Sequence, residues 1–244
     1  YEIGVRLVGS EMCIRDRTGG HENMDPQKIL DYGAKLIVIF MCIPIHEYAH
    51  AWAATKLGDD TPRYQGRLSL NPLAHLDPIG ALCIFFIGFG WGKPVQVNPI
   101  RFKNYRKGMA LTAAAGPISN IIMGLIGIVL YKLFYVLYIV HYSIALYYVS
   151  LILYYFTAIN VGLAVFNLIP IPPLDGQKIL SYFTSSKVDR FMAQYQNYIA
   201  IAFMILVVTG VLDTPIGWLQ NGMFWIMDKL TFWVDPILKA IFLK

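Results

Sequence analysis

His46-Glu47-Tyr48-Ala49-His50 is the one cluster in this 244-residue chain whose residue types and spacing suit metal chemistry. On a helix, positions four apart share a face, so both imidazoles can reach one cation while Glu47 stands beside it. Zinc held in that way lowers the pKa of a bound water to about 7, and a neighbouring carboxylate can take the proton and pass it to a leaving amine. That is the chemistry of peptide-bond hydrolysis. Glu47 is the only glutamate after Met24, and it lies in an apolar stretch where ionisable groups are costly and usually functional.

A catalytic zinc needs a third protein ligand and keeps its fourth position open. His75, Asp77, His141 and Asp175 are the candidates. His75 and Asp77 fall in the proline-bounded stretch NPLAHLDP, and His141 follows a tyrosine-rich run. Asp175 closes NLIPIPPLDG, where Pro170, Pro172 and Pro173 end one helix and begin another. Unwound backbone at membrane depth is tolerated only inside protein or beside a cavity. The break therefore marks a site, and Asp175 is the best third ligand.

The elements that must carry these residues are hydrophobic helices. The chain is 57% hydrophobic and 14% charged, with a mean hydropathy of +0.52. Soluble domains have about 25% charged residues, and so few charges cannot cover a globule of this size in water. The composition predicts an all-α membrane protein, a polytopic bundle of about five to six transmembrane segments. A first helix is expected over about Ile29–Leu57, ending at Gly58 with Lys56 in its last turn. Met109–Val140, Ile144–Leu168, Tyr195–Val211 and Ile216–Phe242 are further apolar runs, and another helix is expected to begin near Leu174. Ile79–Trp91 is short and broken by glycines, and reads as a short helix entering a re-entrant, β-hairpin-like loop that continues through KPVQVNP. Val95-Gln96-Val97 alternates there as a strand does, bounded by Pro94 and Pro99, and could pair with an unwound substrate segment.

The net charge of +5 does not point to nucleic acid, because the basic residues fall in short clusters between apolar runs. Lys56, Arg63, Arg67, Lys93, Arg101, Lys103, Arg106, Lys107, Lys178, Lys187 and Arg190 lie in connectors expected on one side. The positive-inside rule makes that side cytoplasmic, with the end of the catalytic helix turned toward it. Cys13, Cys42 and Cys83 show no paired spacing and give no disulfide framework. Glu11–Arg17 reads EMCIRDR, which resembles a translated sequencing adaptor. Residues 1–23 are accordingly read as a non-native scar or tail, and Met24–Lys244 as one polytopic domain.

HEYAH on an early apolar helix followed by NLIPIPPLDG resembles the site-2 protease family of intramembrane zinc metalloproteases. GRLSLNPLAHLDPIG, FGWGKPVQVNP and AAAGPISN resemble its compact subgroup, without an added PDZ or CBS domain. The resemblance implies one Zn2+ on His46, His50 and Asp175, Glu47 as general base, and Asn167 facing the substrate or its oxyanion. It also implies a membrane-protein substrate cut at the bilayer of the plasma or inner membrane, such as a single-span regulatory protein. Larger members carry a span before the H-E-x-x-H helix, and none is expected between Met24 and that helix here. Gly116, Ser119 and Asn120 match the family's small-residue helix, where close packing is expected, a direct site role for Asn120 being the alternative. The rival reading is a zinc-binding membrane protein without proteolytic activity, a transporter or inactive relative. Transporters often show repeated halves, and no second copy of the motif occurs here. An inactive relative would be expected to lack Glu47 or a ligand. No G-x-S-x-G offers a competing nucleophile.

Overall fold

The computed structural model describes residues 32–33, 35–87 and 90–242. The stretch 1–23, Met24, the expected helix start at Ile29 and Gly88 lie outside the described residues. Helix α1 runs over Lys35–Lys56. Pro44 has no N–H to bond the carbonyl of the preceding turn, and a π-helical turn over Val38–Cys42 stands just before it. The wider turn relieves the clash that proline imposes inside a helix, and such bulges recur at functional sites. His46 and His50 follow within the next two turns.

The core helices are α3 (Tyr105–His141) and α4 (Ile144–Leu168), which form the most extensive helix pair. Between α1 and α3 lie a single helical turn at Thr61–Tyr64 and the ten-residue α2 (Pro78–Ile87). After α4 come α5 (Asp175–Phe183), α6 (Ser186–Val208), α7 (Asp213–Leu230) and α8 (Val234–Phe242). Helix α3 is 37 residues long, about 55 Å at 1.5 Å per residue, and exceeds a hydrocarbon core of about 30 Å. Its residues Ile118, Ile122, Ile126 and Leu130, spaced by four, are all exposed. An unpartnered aliphatic stripe on the central helix suits lipid rather than water.

Among the described residues, four helices are long and apolar enough to cross a membrane: Lys35–Lys56, Tyr105–His141, Ile144–Leu168 and Ser186–Val208. The sequence suggested about five to six, and the difference lies in the last apolar run. The glycine-rich run beginning at Ile79 forms the short α2 rather than a span, as its length and glycines implied. The last apolar run divides into α7 and α8 around Thr231, whose N–H bonds the Met227 and Asp228 carbonyls.

The connector after α1 is tied together by buried charges. Asp59, fully buried, accepts from Thr61 N (3.0 Å) and from Asn98 N (2.6 Å). Arg67, also buried, donates to the Ala74 and Lys93 carbonyls. The charge pattern counted Arg67 as an ordinary loop cation, whereas it organises the loop from inside. The hairpin-like loop is held by one isolated antiparallel bridge, Leu76 to Gly92, and by Lys93 N donating to His75 O at 2.7 Å. Residues 95–97 alternate in exposure as a strand would, yet pair with no strand among the described residues.

Candidate metal centre

His46 and His50 sit on the buried face of α1, and Asp175 is the first residue of α5. His46 Nε2 and His50 Nε2 are 3.0 Å apart. Asp175 Oδ2 lies 3.2 Å from the first and 3.1 Å from the second. Four-coordinate zinc with bonds of about 2.0–2.1 Å keeps its ligand atoms roughly 3.3–3.4 Å apart. The three atoms thus already form a triangle of nearly that size. Among the described residues, this is the one group of three or more such side chains able to hold a metal ion.

The donor chemistry also fits. His46 Nδ1 lies 2.6 Å from Asn120 Oδ1, and His50 Nδ1 lies 2.7 Å from the Thr112 carbonyl. Both neighbours are acceptors, so both Nδ1 atoms carry the proton and both Nε2 atoms keep a lone pair. Three lone pairs, one from a carboxylate, converge in a buried space. They repel unless a cation lies among them. A cation among them would remove that repulsion and keep the buried Asp175 carboxyl ionised.

Local sequence allows this approach at two glycines. A Cβ on Gly116 of α3 would stand 2.5 Å from His50 Nε2 and 2.6 Å from His46 Cε1. A Cβ on Gly176 would meet the Leu168 and Ile169 carbonyls at 2.3 and 2.4 Å. The first lets α3 lie flat against both rings. The second lets α5 start against the end of α4, which brings Asp175 into the triangle.

Glu47, next to His46 in sequence, accepts a hydrogen bond at Oε2 from Val95 N at 3.2 Å. The loop therefore touches the residue expected to act as base. The other candidates stand elsewhere. His75 is fully buried, with Nε2 donating to Ser69 O at 2.7 Å, and holds its own loop. Asp77 Oδ1 accepts from Gly80 N at 2.8 Å, at the start of α2. His141 is exposed at the far end of α3. Asn167, half-buried near the end of α4, donates from Nδ2 to its own helix at the Leu163 carbonyl (3.0 Å).

Two partners of the centre escaped the sequence reading, the Thr112 carbonyl and Asn160. No side-chain pattern announces a main-chain acceptor. Asn160 had a signal, an amide inside an apolar span, since such groups must find partners there.

The model of Peptidase family M50 matches residues 136–210, a span that includes Asp175. "Putative zinc metalloprotease YwhC" of Bacillus subtilis is 39% identical over 174 residues, 71% of this chain and 80% of that protein. "Putative zinc metalloprotease Rip2" of Mycolicibacterium smegmatis is 24% identical over 80% of this chain and 74% of its own length. Rip2 of Mycobacterium tuberculosis is 25% identical over 78% of this chain and 71% of its own. No solved structure matches.

Proposed function

The chain belongs to the site-2 protease family, peptidase family M50, and from that membership we propose that it cuts membrane-protein substrates with Glu47 as general base. It is a multi-pass membrane zinc metalloprotease. In the proposed site His46, His50 and Asp175 are the zinc ligands. The observation that carries the reading is the convergence of Asp175 Oδ2 with His46 Nε2 and His50 Nε2 at 3.0–3.2 Å, beside Glu47 on the histidines' helix.

Zinc, when bound, supplies the Lewis acidity that brings a coordinated water toward neutral pKa. The residues do the rest. Asn120 and the Thr112 carbonyl orient the two rings through their Nδ1 protons. Glu47 receives the Val95 N–H at Oε2, which leaves Oε1 to accept the water's proton. It then returns that proton to the leaving amine nitrogen. Burial of both histidines and Asp175 limits competing water. Asn167 is proposed to face the substrate from the end of α4, through the amide hydrogen that Leu163 leaves over.

The substrate is proposed to be a transmembrane segment that unwinds to expose its peptide bonds. Unwound backbone in lipid needs partners, and the extended residues 95–97 beside Glu47 offer main-chain groups at the right place. The site is proposed to open toward the cytoplasm at the plasma or inner membrane. Arg106 donates to the Thr184 carbonyl at 2.7 Å and pairs with Asp189, which supports the basic connectors before α3 and α6 sharing one side.

The test is Glu47→Gln, with zinc content and cleavage of a model transmembrane substrate measured together. Metal should stay near one per chain while cleavage falls by about 10²–10⁴-fold or more. Full cleavage by that variant would end the general-base reading.

A further inference from the structure

We propose that Asn160 is a positioning residue for the metal centre: acting through Asn120, it fixes the tautomer of His46 and keeps that ring's Nε2 lone pair directed at the cation. The inference rests on the proposed role of His46 as a ligand.

The argument starts from a carbonyl. Asn160 of α4 is fully buried, and its Nδ2 lies 2.9 Å from Phe156 O and 3.4 Å from Cys42 Sγ. A main-chain carbonyl only accepts, so the amide nitrogen must face it and Oδ1 must face away. That Oδ1 takes a hydrogen bond from Asn120 Nδ2 at 2.9 Å. Asn120, fully buried as well, then has only its Oδ1 to offer His46, 2.6 Å from Nδ1. An acceptor there demands Nδ1–H, and a neutral imidazole protonated at Nδ1 has its lone pair at Nε2. Each link is forced by the one before it, and the first cannot reverse.

Without Asn160 the chain loses its direction. Asn120 could rotate its amide and present Nδ2 to His46 Nδ1 at no cost in contacts. His46 would then hold its proton on Nε2, against the other two ligand atoms. With Asn160 present, that rotation sets two fully buried amide oxygens against each other. His50 needs no such relay, because the Thr112 carbonyl fixes it directly. The ordinary alternative is that Asn160 merely glues α4 to α3, as buried amides do in membrane helices.

The two roles separate in a double-mutant experiment on the full chain. Zinc affinity is measured by chelator competition, and the His46 tautomer by 15N-histidine NMR of the metal-free protein. Asn160→Leu should weaken zinc binding about 10–100-fold, the usual effect of losing a ligand's outer partner. The His46 proton should also move toward Nε2. Asn160→Asp, neutral when buried, keeps one donor and one acceptor and should stay within a few-fold of the parent. Asn120→Asp, ionised against the His46 Nδ1–H, accepts from it whichever way it is turned. In that background Asn160→Leu should therefore change zinc affinity little. Should Asn160→Leu fail to fold, Asn160→Ser, whose hydroxyl is too short to reach both partners, is read in the same way. An equal loss in both backgrounds, or an unchanged tautomer and affinity in a folded variant, would overturn the relay in favour of helix packing. His46→Ala is the separate control. If it keeps full zinc affinity, the ligand assignment itself fails, whatever Asn160 does.

Discussion

Gly116→Ala tests the geometry of the centre without touching a ligand. The added Cβ would stand 2.5 Å from His50 Nε2 and Cε1 and 2.6 Å from His46 Cε1. That is roughly 1 Å inside the ~3.5 Å at which such atoms rest. Neither ring can simply swing away, because Asn120 holds His46 at 2.6 Å and the Thr112 carbonyl holds His50 at 2.7 Å. Either α3 backs off or both imidazoles leave the triangle by something near 1 Å. Overpacking of this kind costs about 1–3 kcal/mol in stability, and a 1 Å misplacement of reacting groups costs about 10²-fold in rate. The assay pairs zinc stoichiometry and chelator competition with cleavage of a transmembrane substrate and thermal unfolding in detergent. The matched control is Gly222→Ala in α7, where nothing lies within 4 Å of the new Cβ. It should leave zinc and cleavage alone and raise helix stability by up to about 1 kcal/mol. A Gly116→Ala protein with parental zinc affinity and cleavage would refute the view that α3 must lie flat on the two rings.

Asp175→Ala should strip zinc, whereas His75→Ala should keep the metal and lower thermal stability, since His75 bonds Ser69 O rather than the centre; metal analysis on the two variants decides it. Val95→Pro removes the donor to Glu47 Oε2, 3.2 Å away, and should slow cleavage at constant zinc content. Parental rates in that variant would detach the loop from the chemistry. Lys132→Met leaves Asp228 and Asp235 without the ammonium now 2.9 and 2.8 Å from them. Both carboxylates are largely open to solvent, so the loss should be only about 1 kcal/mol. It should show as faster proteolytic nicking within α7 and α8, with zinc affinity unchanged.

The histidine pair was legible because its pairing needs only helical geometry: four residues bring His46 and His50 to one face whatever surrounds them. Asp175 was legible for a different reason. Three prolines in NLIPIPPLDG forbid a continuous helix, and a broken helix at membrane depth needs a purpose. The apolar runs likewise located α3 and α4, since about 20 apolar residues in lipid have little alternative to helix. Asp228, Lys229, Asp235 and Pro236 mark the last run as partly interfacial, but the turn at Thr231 itself contains no proline or glycine to place the break. Nor could alternation at 95–97 make a β-ladder, because a strand's partner is supplied from elsewhere in the chain. The tertiary structure alone joined Asn160 to Asn120 across 40 positions and Asn120 to His46 across 74. Which buried polar group meets which is decided by how α1, α3 and α4 pack, and no local spacing encodes that. The sequence determined which atoms could bind a metal; the packing decided which way their lone pairs point.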